Sequence, residues 1–250
     1  MRRQIHIATD SFPNRPGFDA AVSRVVLRQV AAGDLPETLR LFVPERLVAF
    51  GSRDTVNPAF EAAQQMAAAE GFASYRRLAG GKAAVFHEHT IAFAWAIPSS
   101  DPSATIAQRF DETDGIITTA LGSLGVDARV GEVLGEYCPG ANSINAGGRF
   151  KLAGIGQRLI AGAAHVGGVV VVDRADLVNR ALVPVYDALG YTWDPATTGA
   201  VSSEVETDVA AVMAAVRGAL EARHDLVDGP IGAATLDAAA SPQANPPSRR

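Results

Sequence analysis

The chain has 250 residues, 48% of them hydrophobic and 20% charged, which suits one large globular domain with a substantial core. A net charge of −5 argues against a nucleic-acid footprint. No apolar run approaches the ~18 residues of a membrane span, and the start MRRQIHIATDSF lacks the apolar core of an export signal. The one cysteine, Cys138, cannot form an internal disulfide and suits a reducing cytoplasm.

In chain order, residues 5–8 read as a short apolar strand that leads to a turn over residues 12–17. Ala21, Val22, Val25, Val26 and Val30 recur at helical spacing and predict a helix over 18–32, stopped by Gly33. Residues 39–42 and 47–50 read as two strands joined into a hairpin by the turn at Pro44. Pro58 in a first turn opens a helix that runs to about Glu70. Three short strands follow, over 73–77, 83–86 and 91–97, and then a long amphipathic helix over 106–124. Two strands flank a turn at 145–148, the second running through 150–155. The apolar run 167–172 fits a buried strand, and helices over 174–189 and 204–223 follow. The order mixes hairpins with helices and does not alternate strictly. This predicts an α+β fold, with a mixed, largely antiparallel sheet flanked by helices. Residues 1–225 form the expected domain. The segment 226–250, GPIGAATLDAAASPQANPPSRR at its end, is small, Pro-containing and aperiodic, and is expected to be a disordered tail.

Two stretches could carry chemistry. In YRRLAGGKAAVFHEHT, residues 75–90, adjacent arginines on a strand point to opposite faces, so only Arg76 or Arg77 can face a given pocket. Gly80 and Gly81 let the backbone approach a ligand closely, and an arginine beside them can hold an oxygen by directed hydrogen bonds. Taken alone, the pattern fits a hairpin turn with solvated arginines better than a site. His87-Glu88-His89 puts two imidazoles on one strand face, but no third ligand stands at metal spacing, and no metal is expected.

The second stretch is EYCPGANSINAGGRFKLAGIGQR, residues 136–158, which holds both Cys138 and Lys151. Pro139-Gly140 places Cys138 on a turn, away from a core strand. A nearby ammonium favours the nucleophilic thiolate form of a cysteine, and Lys151 could supply one if the intervening hairpin folds back. The same ammonium could stabilise an acyl oxyanion. The bland alternatives are a buried inert thiol and an exposed strand lysine.

Together these stretches resemble the lipoate-protein ligase and octanoyltransferase superfamily, which shares its core fold with biotin protein ligase. Arg77-Leu-Ala-Gly80-Gly81 is similar to that family's Arg-x-Ser-Gly-Gly motif, with Ala79 in place of the serine. Arg149-Phe-Lys151-Leu-Ala-Gly154-Ile-Gly-Gln157-Arg158 is similar to its Arg-Lys-x-x-Gly-x-x-Gln-Arg motif, with Phe150 as an extra residue. Tyr137-Cys138-Pro139-Gly140 and LVAFGSRDT, residues 47–55, resemble the cysteine-dependent branch that moves octanoyl from the glycine-cleavage H protein. Lys82 stands where many ligases have a third glycine, and either Phe86 or His87 falls on a ligase histidine position.

The resemblance implies an acyltransferase. Cys138 would carry an octanoyl or lipoyl group as a thioester, and Lys151 would polarise the acyl carbonyl and keep the thiol ionised. Arg77, Gly80, Gly81, Lys82, Gly154 and Gln157 would bind and shape around the acyl group. The implied partners are lipoyl-domain proteins, the H protein and the E2 subunits of 2-oxoacid dehydrogenases, with the chain itself a monomer. No cofactor is implied. An ATP-dependent lipoate ligase using ATP and Mg, or a degenerate member that only binds lipoyl domains, are the alternatives. Ligases of the family generally carry an accessory C-terminal domain, for which the expected tail leaves no room.

Overall fold

The computed structural model describes residues 2–241. Its first half comprises β1 (Gln4–Ala8), α1 (Phe18–Ala32), β2 (Thr38–Phe42), β3 (Leu47–Phe50), α2 (Phe60–Ala69), β4 (Ala73–Arg76), β5 (Ala84–Phe86), β6 (Thr90–Pro98) and α3 (Ile106–Ser123). There follow β7 (Ala128–Val130), β8 (Ile144–Ala146), β9 (Phe150–Ile160), β10 (Ala163–Val171), α4 (Ala175–Leu189), α5 (Val209–Glu221), β11 (Asp225–Asp228) and α6 (Ala233–Ala240). An eight-stranded sheet has the order β11-β1-β2-β6-β10-β9-β8-β7, and a three-stranded sheet the order β4-β3-β5. In the large sheet β11, β1 and β2 run parallel and every other pair is antiparallel. The fold is therefore α+β with a mixed, largely antiparallel sheet, as the order of elements predicts. Among the described residues no helix is long and apolar enough to cross a membrane.

The sequence of β6, TIAFAWAIP, shows how one strand serves two purposes. Successive side chains point to opposite faces. Ile91, Phe93, Trp95 and Ile97 join the main core beneath α3 and α5, against Ile116, Leu121, Val212 and Val216. Each aliphatic side chain buried there contributes about 1.5–3 kcal/mol. Ala92, Ala94 and Ala96 face the other way. The helix α1 covers the Ala96 end of that face, and Phe42 and Phe86 approach Ala92 and Ala94.

The small sheet repeats the division. Val48 and Phe50 of β3 pack with α2 and α4, while Leu47 and Ala49 meet Tyr75 on the opposite face. Between the two sheets, small residues leave a gap instead of filling it. On this face Ala92 and Ala94 stand opposite Val169 and Gly167 of β10 across the strand pair.

Two expectations are corrected. The strands at 39–42 and 47–50 do not pair as a hairpin: β2 takes β1 and β6 as neighbours, and β3 takes β4 and β5. With both edges of β2 occupied, the Pro44 turn carries the chain from one sheet to the other. The expected disordered tail holds structure up to Ser241. Residues 225–228 add to the sheet beside β1, Asp225 N–H donating to the Arg3 carbonyl at 2.9 Å. Ile231 and Ala239 are buried against α1 with Leu236 beside them, and Thr235 Oγ1 donates to Gln29 Oε1 at 2.8 Å. Small side chains hid this helix, because only Thr235 and Ala239 mark its buried side, at a spacing of four. The rest of the expected tail, 242–250, lies outside the described residues.

Replacing Ile231 with alanine should therefore cost about 2 kcal/mol and lower the melting temperature by roughly 4–8 °C. Thermal unfolding followed by circular dichroism checks this. An unchanged melting temperature would show that the segment after β11 does not belong to the folded unit.

Candidate active site

The loop between β7 and β8 carries the sequence EYCPGANS. Cys138 lies in it with φ of 42°, in the left-handed region that a side chain rarely adopts. Such backbone costs on the order of 1–3 kcal/mol and persists only where the surroundings impose it. Here both backbone polar groups are fastened. The Cys138 N–H donates to the Tyr186 hydroxyl at 3.0 Å, and that hydroxyl donates in turn to the Ala83 carbonyl at 2.9 Å. The Cys138 carbonyl accepts from Lys151 Nζ at 2.8 Å.

The sulfur, half-buried, meets two donors: Arg77 Nη2 at 3.1 Å and the Lys82 backbone N–H at 3.2 Å. One of these donors is cationic, and such a pair suits a thiolate, the form of cysteine that attacks carbonyl carbon. Arg77 is in turn fixed by donating to the Lys82 carbonyl. Between them Gly81, with φ of 102°, has no space for a side chain. A Cβ there would fall 2.3 Å from Arg77 Nη2 and 2.8 Å from Cys138 Sγ. The Gly81 carbonyl in turn lies where a Cβ on Gly51 would be, at 1.8 Å. Gly51 N–H donates to Asp54 Oδ2 at 2.7 Å, and the Tyr191 hydroxyl donates to Asp54 Oδ1 at 2.8 Å. Burial raises the Asp54 carboxyl above its ordinary range, and burial with the adjoining Asp54 pushes Tyr191 up to about 12.

Lys151 lies on β9, buried to 1% exposure, and all three of its N–H donors are occupied. They go to Glu136 Oε1 at 2.9 Å, the Tyr137 carbonyl at 3.1 Å and the Cys138 carbonyl. Glu136 Oε2 accepts from Val133 N–H at 3.0 Å, and Ser143 donates to Oε1. The expected contact of this ammonium with the sulfur is thus replaced by one with the carbonyl of the same residue. Arg77 is the cation at the thiol. Glu136 went unrecognised in the sequence, although a buried lysine requires an anionic partner and this carboxylate stands two residues before the cysteine.

A cavity of about 520 Å³ opens between the two sheets, lined by Cys138, Lys151, Arg77, Gly80, Gly81 and Gly154 and floored by Ala92, Ala94, Gly156 and Val169. Most of the expected binding residues therefore converge on one space. Ala79, where the family motif has serine, packs onto β9: a Cβ on Gly156 would fall 2.9 Å from the Ala79 Cβ. Arg76 is exposed, so the alternation expected of the arginine pair is observed.

Two expected binding residues differ in role. The Lys82 ammonium lies 4.6 Å from the Tyr191 ring centroid, and its backbone N–H and carbonyl address the site in its place. The Gln157 amide lines the cavity but is committed, accepting from Arg109 Nε and donating to the Ile106 carbonyl, both at 2.8 Å. It ties β9 to the start of α3. His87 is fully buried outside the cavity lining, and burial holds its pKa down to about 4. Among the described residues no group of three or more His, Cys, Asp or Glu side chains could hold a metal ion.

Comparison with known proteins places this geometry. The chain is 30% identical over 174 residues to the octanoyl-[GcvH]:protein N-octanoyltransferase of Geobacillus kaustophilus, covering 66% of this chain and 61% of that protein. The match thus spans about three fifths of that relative's length. It is 24% identical to the lipoyl-[GcvH]:protein N-lipoyltransferase of Listeria monocytogenes, covering 95% of this chain and 91% of that one. Lipoate-protein ligase A bound with ATP has the same fold, with a TM-score of 0.76 at 20% identity, over 96% of this chain and 93% of that chain. So does the bi-partite lipoate protein ligase of Thermoplasma acidophilum, at 0.71 and 17% identity over 96% and 91%. The family model of the lipoyl protein ligase A/B catalytic domain matches residues 15–196, the span that holds Arg77, Cys138, Lys151 and the cavity they line, and the chain belongs to that family.

Proposed function

We propose that this protein is a cysteine-dependent acyltransferase, moving an octanoyl or lipoyl group through Cys138 onto a lysine of a lipoyl-domain protein. The observation that carries this reading is the pair of donors on the Cys138 sulfur at an apolar cavity. The thiolate attacks the carbonyl carbon of the acyl group on a donor carrier. The bond to the donor breaks, and the donor group leaves with a proton taken from solvent water. The acyl chain lies in the cavity as a thioester on Cys138. The ε-amine of an acceptor lysine then attacks the thioester carbonyl, loses a proton, and the thiolate is restored. Lys151 meets the developing oxyanion by exchanging its bond to the Cys138 carbonyl for one to the acyl oxygen. The H protein and E2 lipoyl domains are the proposed carriers, in a cytoplasm that keeps the thiol reduced.

The ATP-dependent alternative requires a phosphate cradle at the Gly80-Gly81 turn. In this chain the N–H that follows that turn is spent on the Cys138 sulfur, and the Lys82 ammonium lies over Tyr191. The turn serves the thiol, so the transfer route draws on thioester chemistry alone and no nucleotide.

Incubation with octanoylated H protein should add one octanoyl mass to the wild-type chain, read by intact mass spectrometry. Cys138→Ala should show no adduct. An equal adduct on that variant, or none on wild type, rejects the thioester route. Modification of an acceptor that requires ATP and lipoate and survives Cys138→Ala would establish the ligase instead.

Gly81→Ala should lose at least tenfold in the rate of Cys138 acylation, because its Cβ crowds both Arg77 Nη2 and the sulfur and parts the two. Equal rates would remove Arg77 from the mechanism. Glu136→Ala leaves a buried ammonium unpaired and should cost about 3–5 kcal/mol in denaturant unfolding. The double variant Glu136→Leu/Lys151→Met should regain most of that stability but no activity. Activity in the double variant would show that the ion pair is only structural.

A further inference from the structure

The Lys82 N–H that meets the Cys138 sulfur belongs to the same peptide unit as the Gly81 carbonyl. That peptide follows two glycines, Gly80 and Gly81, whose dihedrals are soft, so it can turn over. Turned over, it would aim a carbonyl oxygen at the sulfur and oppose a thiolate. The donor therefore depends on what holds this peptide from behind. Behind it lies Gly51, just after β3, where a Cβ would fall 1.8 Å from the Gly81 oxygen and 2.9 Å from its carbonyl carbon. In glycine a hydrogen takes that direction, so the Gly51 Cα–H is aimed at the oxygen as a weak hydrogen-bond donor. Gly51 has none of the left-handed backbone seen at Gly81, so the close approach alone requires glycine here.

Gly51 is itself fastened on both sides. Its N–H donates to Asp54 Oδ2 at 2.7 Å, and its carbonyl accepts from Thr55 N–H at 3.2 Å. Asp54, wholly buried, accepts through Oδ1 from the Tyr191 hydroxyl at 2.8 Å. Tyr191 stands two residues beyond α4; its N–H donates to the Tyr186 carbonyl at 2.9 Å, and the two rings meet edge to face at 5.3 Å. The Lys82 ammonium lies over the same Tyr191 ring, and the Tyr186 hydroxyl accepts the Cys138 N–H. One end of α4 thus sets both partners of the sulfur contact. Tyr186 holds the backbone that carries the sulfur, and Tyr191, through Asp54 and Gly51, backs the peptide that donates to it. None of Gly51, Asp54 and Tyr191 lines the cavity, so contact with an acyl group does not account for a carboxyl buried at this place.

We propose that Gly51, Asp54 and Tyr191 are positioning residues for Cys138, holding the Gly81–Lys82 peptide so that its N–H, and not its carbonyl, faces the sulfur. This rests on the acyltransferase reading only for what the thiol does to an acyl group. It adds a support behind the nucleophile, drawn from the turn after β3 and the segment after α4, that touches the reaction solely through one peptide unit.

The test is the pH dependence of Cys138 alkylation by iodoacetamide in the full chain, which needs no acyl donor, with circular dichroism to follow folding. Gly51→Ala should move the midpoint up by about one pH unit and slow octanoyl uptake from octanoylated H protein about tenfold, the effect of one hydrogen bond to a charged group. Tyr191→Phe keeps the ring and removes the hydroxyl. It should shift the midpoint in the same direction by less, and it reads the support if Gly51→Ala fails to fold. Asp54→Ala should behave like Gly51→Ala, whereas Asp54→Asn, which keeps an acceptor for the Gly51 N–H, should recover most of the loss. A wild-type midpoint in the folded variants overturns the proposal even where their melting temperatures fall, because a purely structural role would do only that. So does Asp54→Asn as impaired as Asp54→Ala. Octanoyl uptake is scored separately: none on wild type with the midpoint shifted in the variants rejects the transfer reading alone, and normal uptake with the midpoint unmoved rejects the support alone.

Discussion

Lys151 is an ammonium almost wholly withdrawn from water, and such a charge is tolerable only when each of its protons has an acceptor. Its acceptors are the Glu136 carboxylate and the carbonyls of Tyr137 and Cys138, three consecutive residues of one loop. To satisfy the lysine, that loop must curl around a point on β9. The left-handed backbone of Cys138 follows from this, because its carbonyl turns inward to the ammonium while its N–H is held by Tyr186. The sulfur is then set facing Arg77 and the Lys82 amide without any bond from Lys151 to sulfur. A residue that the sequence suggests as an activator of the thiol acts in the resting protein as the anchor of its backbone.

The cavity depends on a second constraint, the alternation of large and small residues in the central strands. Interiors pack to nearly crystalline density, so an empty volume survives only where rigid elements hold the walls apart. In β6 the large residues secure the sheet to α3 and α5, and the alanines between them leave the opposite face shallow. The glycines of β9 and β10 extend the trough, with Gly156 and Gly167 paired across the two strands and both lining it. Leu47, Ala49 and Tyr75 of the small sheet roof it. Folding stability and the cavity are thus written into the same strand on alternate residues.

Much of this was legible. Helical spacing defined α1 and α3 closely, the short strand read at 91–97 falls within β6, and the apolar run 167–172 marked the buried strand β10. Cys138, Lys151, Arg77 and the glycine pair were legible as a set because motifs, more than periodicity, tie them together. What escaped depends on pairing across long sequence separations. Nothing local to residues 38–50 tells that β2 seeks β6, some fifty residues on, instead of the adjacent β3. The strand at 225–228 is half charged and gains its place only by hydrogen bonding to β1. Glu136 went unrecognised, since its burial becomes evident only when β9 brings Lys151 beneath it.

The two ends of the cavity are built from different parts of the chain. Loops before β5 and β8 supply the thiol, its donors and the glycine turn, whereas α1, the turn after β2 and β10 supply Asp19, Glu45 and His165. The ends share a floor of alanine and glycine that contributes no chemistry of its own. A substitution at the α1 end and one in the Cys138 loop therefore fall on different elements of the chain. The buried Lys151–Glu136 pair that anchors the Cys138 loop stands on β9 and the loop before β8, whereas α1 and the His165 end of β10 close the other end, so each end is held in place by its own packing and the two meet only at the shared floor.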